Sequence, residues 1–205
     1  MNIIFDQLRV SEDGKYLYID AHVNTASYFE KTYIDSIVIM TADQVSETSP
    51  KLPTENYIYK KTIEGEEKEI SLALTPADFI KIWETDANAM SFKQTDMNKT
   101  LFFVYVSWKG SVDGCAPCGS DDEFALGITF NESILHQRVM DFTKELVSNC
   151  DVPYGFMDFI LLWYAFKASV ETGHYISAIK FFNMLFDIVD DRGYSFAIGG
   201  CGCHG

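Results

Sequence analysis

Through the first 130 residues the apolar positions fall in short β-branched and aromatic runs broken by polar turn residues, the pattern of a sandwich or barrel. Ile3 to Val10 and Tyr16 to Val23 flank Glu12-Asp13-Gly14-Lys15, whose Asp-Gly step supplies the positive φ of a hairpin turn. In the second arm Leu17, Ile19 and Ala21 alternate with Tyr16, Tyr18 and Asp20, which predicts one apolar face and one wetter face. Tyr33 to Thr41 reads as a buried strand. Residues 42 to 56 are polar, hold Pro50 and Pro53, and predict a loop. Tyr57 to Ile63 and Lys68 to Leu74 then predict a second hairpin across Glu64-Gly65-Glu66-Glu67. Thr75-Pro76-Ala77-Asp78 has the N-cap, the N1 proline and the first-turn acid of a helix start, leading into Phe79-Ile80-Lys81-Ile82-Trp83. Leu101 to Trp108 and Glu123 to Phe130 are two further strands around a loop over 109 to 122.

At Asn131 the period changes. Leu135, Val139, Phe142 and Leu146 recur at helical spacing and predict an amphipathic helix over 132 to 149. Phe156, Phe159, Ile160, Trp163, Phe166 and Val170 form a second helical stripe, stopped at Thr172-Gly173. Tyr175, Ala178, Ile179, Phe182, Leu185, Phe186 and Val189 form a third. The last two helices are joined by so few residues that they must lie antiparallel as a helical hairpin. Residues 193 to 205 hold too many glycines for a helix and form a flexible or partner-ordered tail. The class is α+β: an antiparallel β-sandwich or barrel-like module over 1 to 130, about three helices over 131 to 192, and a Gly/Cys-rich tail.

The aromatic density of the helical part exceeds what three short helices need for a core. Trp163, Phe166, Phe181, Phe182 and Phe186, with Tyr194 and Phe196 of the tail, are therefore candidate contact residues for another body. Charge narrows the choice of body. Sixteen Lys plus Arg against thirty Asp plus Glu give a net charge of −14, spread along the chain. A surface that tracks phosphates would first have to overcome that repulsion, so direct nucleic-acid binding is disfavoured. The start of the chain has no basic segment before an apolar run, and the longest apolar stretch, Phe159 to Phe166, is far shorter than the ~20 residues of a membrane span, so neither a leader nor a membrane segment is expected. Five cysteines in a chain 47% hydrophobic suit reduced thiols better than a disulfide framework.

Two cysteine pairs offer chemistry. Cys115-Ala116-Pro117-Cys118 has redox spacing, but the acids Asp121, Asp122 and Glu123 that follow would raise a thiol pKa, and a strand rather than a helix comes next. Cys115 and Cys118 with Cys201 and Cys203, His204 substituting, would complete a tetrahedral zinc site pinning the tail to the β-module; against it stand the tight spacing of Cys201 and Cys203 and the plainer reading of both segments as reduced loops. No other cofactor is implied. None of the four histidines sits in a motif, and no nucleophile elbow, zincin helix, phosphate loop or dinucleotide fingerprint occurs, so no catalytic residue is assigned. The glutamates at 64, 66, 67 and 69 read as a solvated turn rather than a calcium site.

The order of these pieces resembles structural proteins of crAss-like bacteriophages of gut Bacteroidetes. The resemblance rests on the β-rich first part, the Cys-Ala-Pro-Cys-Gly-Ser-Asp-Asp loop before Leu126-Gly127-Ile128-Thr129, and the Trp163-Tyr164-Ala165-Phe166 and Thr172-Gly173-His174-Tyr175 hairpin. It implies a virion protein of the neck and tail, made in the bacterial host cytoplasm: a ring or adaptor subunit, homo-oligomeric, touching portal or other neck and tail proteins. Acidity suits a conduit through which DNA must slip without sticking. The competing readings are a sandwich that binds a glycan or peptide through its tyrosine-bearing face, and a small zinc-binding assembly protein.

Overall fold

The computed structural model describes residues 3–24, 31–42, 44, 52–92, 97–111, 124–131, 133, 137, 156–174, 177–182 and 184. The chain separates into two compact units, Met1–Asn131 and Glu132–Gly205.

In the first unit, β1 (Ile3–Val10), β2 (Leu17–Val23) and β5 (Glu69–Leu74) form one antiparallel sheet in the order β1-β2-β5. A second antiparallel sheet, ordered β4-β3-β6-β7, is built from β3 (Lys31–Thr41), β4 (Tyr59–Thr62), β6 (Phe102–Ser111) and β7 (Phe124–Thr129). Ile3, Leu17, Ile19 and Ala21 of the first sheet and Ile34, Ile37, Ile39, Phe102, Val104 and Val106 of the second belong to one core, so the unit is a β-sandwich. The predicted α+β class holds, with helix α1 (Pro76–Thr85) beside the sheets and further helix in the second unit.

The β1–β2 hairpin is where the Asp-Gly step places it, with Gly14 at φ +68°. Ser11 organises the turn: its Oγ donates to Asp13 Oδ1 at 2.7 Å and accepts from the backbone N–H of Lys15 and Tyr16 at 3.1 and 3.0 Å. The second expected hairpin is not formed. β4 pairs with β3, and β5 pairs with β2, so the two runs belong to different layers. The chain between them crosses from one sheet to the other. Ile63 N–H donates to Asp35 O, Glu67 O accepts from Ile34 N–H, and Lys68 O accepts from Val23 N–H. Local turn chemistry proposes the nearest partner, and here the longer-range ladders outcompete it.

Two bulges set which side chains reach the core. Between Phe5 and Gln7 the register against β2 slips by one residue, and the same happens between Ile34 and Ser36 against β6. Each slip switches the parity of the strand, so Ile3 and Val10 are both buried, as are Ile34 and Ile37. The extra residue is an aspartate in both cases, and each finds a basic side chain one strand away: Asp6 Oδ2 lies 2.6 Å from His22 Nδ1, and Asp35 Oδ1 lies 2.6 Å from Lys109 Nζ.

β6 is buried on both faces, which explains its unbroken apolar run: Phe102 and Val104 face the core while Phe103 and Tyr105, 1% exposed each, face the other way. On β7 the inward positions opposite Val106, Val104 and Phe102 are small: Ala125, Gly127 and Thr129. They are small because β1 closes over them. A Cβ on Gly127 would come 2.5 Å from Leu8 Cδ2 and 3.1 Å from Phe5 Cζ, and Thr129 Oγ1 donates to Leu8 O at 3.2 Å.

Helix α1 begins as the sequence predicts. The Asp78 carboxylate accepts from the Thr75 backbone N–H at 2.7 Å and from the Thr75 hydroxyl at 2.8 Å. Phe79 drives the helix onto the sandwich; it is fully buried and contacts Tyr59, Phe92 and Phe102 at ring-centroid distances of 6.3, 5.2 and 6.1 Å. Burial of a side chain this size contributes about 1.5–3 kcal/mol. At the helix end Tyr57 Oη donates to Asp86 Oδ2 at 2.6 Å.

In the second unit α2 (Phe156–Glu171) occupies the second predicted stripe, and residues 177–182 and 184 are helical within the third. Gly173 at φ +72° ends α2, with Gly173 N–H donating to Val170 O and His174 N–H to Ser169 O. Of the helix expected over 132 to 149, residues 133 and 137 are described, both helical. No described helix is long and apolar enough to cross a membrane.

Candidate interaction surfaces

The predicted metal ligands Cys115, Cys118, Cys201, Cys203 and His204 lie outside the described residues, as do the candidate contact residues Phe186, Tyr194 and Phe196. Among the described residues no group of three or more His, Cys, Asp or Glu side chains could hold a metal ion.

The other contact candidates divide by depth. Phe166 is fully buried and Phe182 is 4% exposed, their rings 5.6 Å apart, so their area is spent inside the unit. Trp163, half-buried, lies 6.1 Å from Phe166 and carries the Lys167 ammonium 5.8 Å over its ring. Phe181 is half-buried. The apolar residues that α2 presents to solvent are Tyr164, one of its crowded aromatics, at 66% exposure, and Leu161, which an aromatic count does not single out, at 60%, with Ala168 on the same stripe. Met184 adds another exposed apolar side chain. α2 is apolar nearly all the way round, so composition alone does not say which side is used internally.

α1 repeats the arrangement in the first unit. With Phe79 and Ile82 turned to the core, Ala77, Ile80 and Trp83 project outward, Ile80 at 46% and Trp83 at 50% exposure. A half-exposed tryptophan is unusual surface chemistry, since Trp favours burial or a partner.

The outer face of the three-stranded sheet differs in kind. Its cross-strand rows are Arg9–Tyr18–Ala73, Gln7–Asp20–Ser71 and Ile4–His22–Glu69. The Arg9 guanidinium sits 4.7 Å over the Tyr18 ring, and Tyr16 stacks on Tyr18 at 5.8 Å. Asp20 accepts from Ser71 Oγ at 2.6 Å and, with the Gln7 amide in the orientation that satisfies both its ends, from Gln7 at 2.7 Å. This face is linked by its own hydrogen bonds and carries Asp20 and Glu69 beside Arg9, with Ile4 and Tyr16 41% and 39% exposed. A shallow depression on it is lined by Asp6, Asp20, His22, Glu67 and Glu69.

A further cleft lies at one end of the sandwich, between the β1–β2 turn and the start of α1. Beside it is a clasp: Asn131 Nδ2 donates to Ser11 O at 2.9 Å and to Asn98 Oδ1 at 3.0 Å, and the Gly14 backbone approaches the Asn98 side chain so closely that a Cβ would meet Asn98 Cγ at 2.7 Å. Asn131, the last residue of the first unit, is thereby tied to the hairpin turn.

Five groups among the described residues of the sandwich have displaced titrations: Tyr57, Tyr59 and Tyr105 are raised, and Asp13 and Asp86 are lowered. Burial, then the hydrogen bond to Asp86, pushes the Tyr57 phenol up to about 12, and burial alone does the same for Tyr105. The hydrogen bond from Tyr57, followed by the Asn88 backbone N–H, holds the Asp86 carboxyl below its ordinary value. The tyrosine displacements follow first from burial, and that of Asp86 from the hydrogen bonds it accepts.

Exposed apolar side chains thus stand on a helix of each compact unit. Comparison with known proteins supplies the family. The family model described as crassvirus tail hub protein A matches residues 3–199. The chain is also similar to the tail hub protein A of Bacteroides phage crAss001, 30% identical over an alignment of 220 positions that takes in 98% of this chain and 99% of the relative. Matched from the first strand of the sandwich to beyond the helical hairpin, the chain belongs to the crassvirus tail hub protein A family.

Proposed function

We propose that this chain is a ring or adaptor subunit of the tail hub, present in several copies and acting by protein–protein association. As a member of its family it is a structural component of the tail of a crassvirus virion. The relative's name describes a hub and not an enzyme. The observation that carries the finer reading is the pair of outward apolar faces, Ile80 with Trp83 on α1 and Leu161 with Tyr164 on α2, one in each compact unit. A monomer that acted alone would gain nothing by leaving them in water, where each exposed apolar Å² costs roughly 25 cal/mol relative to burial. The acidic outer face of the three-stranded sheet supports the same reading, because a hub around a DNA conduit needs a wall that repels phosphate. Direct contact with the portal and neighbouring tail proteins is part of this proposal.

Quantitative mass spectrometry of purified virions tests it. Copy number is expected to be a small multiple matching the rotational symmetry of the tail. One copy per particle, or absence from the particle, would overturn the proposal.

A further inference from the structure

Resting on that multi-copy reading, we propose that the run Tyr194-Ser195-Phe196-Ala197-Ile198 of one copy, which lies outside the described residues, adds as a further strand to the outer edge of β5 in the next copy. The contact joins two different parts of the chain, so it is heterologous, and it closes into a ring when the rotation per subunit allows.

The hydrogen-bond pattern leaves this edge open. Val23 N–H donates to Lys68 O and Ser11 N–H donates to Tyr16 O, so odd-numbered residues of β2 bond to β5 and even-numbered ones bond to β1. On β5 the same alternation gives Ile70, Leu72 and Leu74 to β2 and turns the N–H and C=O of Ser71 and Ala73 away from it. The Glu67 carbonyl, which points the same way, is taken by Ile34 N–H of β3, but no described residue takes the backbone groups of Ser71 or Ala73.

The other edges of the sandwich are guarded. β1 and β7 close on each other through Leu8, Gly127 and Thr129, while β4 is four residues long, carries Lys60 and Lys61, and has Phe79 of α1 against Tyr59. From Ile70 to Leu74, β5 has no proline, no lysine and no bulge, and its outward side chains are the small Ser71 and Ala73. Its core cover is thinnest in the middle, where inward-facing Leu72 is half-buried and its neighbours Ile70 and Leu74 are buried.

The tail run fits in period, shape and charge. Tyr194, Phe196 and Ile198 alternate with Ser195 and Ala197, the pattern of a strand with one apolar face. Set on β5, the apolar side covers Leu72 and the small side extends the row of Ser71 and Ala73, while main-chain hydrogen bonds supply affinity. Residues 193–205 contain no Asp, Glu, Lys or Arg, so in a chain of net charge −14 the run reaches an edge bordered by Glu67 and Glu69 without repulsion. The family match extends to residue 199 and includes the run.

Two full-length variants test the pairing, in reducing buffer so that no disulfide contributes. Ser71→Pro removes an edge N–H that β2 does not use, and Phe196→Asp puts a charge on the apolar side of the tail run; circular dichroism and thermal unfolding confirm that each folds as the parent does. Where Ser71→Pro misfolds, Ala73→Pro blocks the next edge N–H in its place, and Phe196→Asp, outside the sandwich, is read in either case. Sedimentation over a rising concentration series is expected to show the parent growing beyond one chain and each variant alone remaining a single chain. An equal mixture of the two should form a pair and nothing larger, since one supplies the tail and the other the edge. A parent that stays a single chain at every concentration would overturn the proposal, as would variants that associate like the parent or a mixture that fails to pair. Any of these results beside a multi-copy count in virions removes this pairing alone; a single copy per virion removes the ring reading as well.

Discussion

Replacing Gly127 with valine probes how the two sheets close. The inner face of β7 is reduced to Ala125, Gly127 and Thr129, and β1 fills the space above it with Leu8 and Phe5. A Cβ at Gly127 would sit 2.5 Å from Leu8 Cδ2 and 3.1 Å from Phe5 Cζ, against an ordinary carbon–carbon contact of about 3.5–4.0 Å. For alanine, Leu8 is half-buried and can swing aside, so the cost is small. Valine adds two further methyl groups on a stiff β-branched side chain, and the Phe5 ring and β1 must move as well. Overpacking of this kind costs about 1–3 kcal/mol. For a unit of this size that lowers Tm by roughly 5–10 °C. Thermal unfolding followed by circular dichroism measures it. Leu8→Ala in the same chain opens room for the valine, so the double variant should recover at least about 0.5 kcal/mol relative to the sum of the single changes. A Gly127→Val protein that melts with the parent, or strict additivity with Leu8→Ala, would refute the reasoning that β1 and β7 are in close contact there.

Further expectations rest on the turns and the displaced groups. Gly14→Ala should destabilise more than Gly65→Ala: both have positive φ, but only at Gly14 does the added methyl meet Asn98, and equal losses of denaturation midpoint would contradict this. Tyr57 and Tyr105, raised to about 12, favour the fold below the unfolded phenol value near 10 and lose that contribution as pH climbs from 10 to 12; tyrosinate absorbance should rise together with the loss of structure, and ionisation of all eleven tyrosines near pH 10 without unfolding would show the burial to be wrong. Asp86 titrates below its ordinary 3.8, so the stability it lends is present above about pH 4 and disappears as the pH falls through its folded value; Asp86→Asn should lower stability at neutral pH and flatten this acid limb, visible in urea midpoints across pH.

What could be read from the residues was whatever is decided locally. Asp13-Gly14 sets the first turn, Thr75, Pro76 and Asp78 set the start of α1, and Gly173 ends α2, each through interactions within a few residues. The partners of β4 and β5 could not be read this way, because a run of alternating residues fixes its buried face but not its neighbour. The bulges at Asp6 and Asp35 escaped for the same reason: a one-residue slip exists only relative to the strand opposite. The surfaces were half legible. Aromatic crowding around residue 163 was evident, yet Phe166 and Phe182 lie inside while Leu161 and Tyr164 lie outside, since a helix apolar all round does not reveal its inner side. Ile80 and Trp83 escaped altogether, because Phe79 and Ile82 alternate with them in the same short apolar run.

A reconstruction of the intact tail in which this sandwich and α2 are located tests whether the chain is a multi-copy hub subunit of the crassvirus tail. If the chain is such a subunit, its fold repeats around the tail axis with the Asp20 face of the three-stranded sheet toward the lumen. A single asymmetric copy, or copies that touch neither one another nor the axial channel, would contradict it.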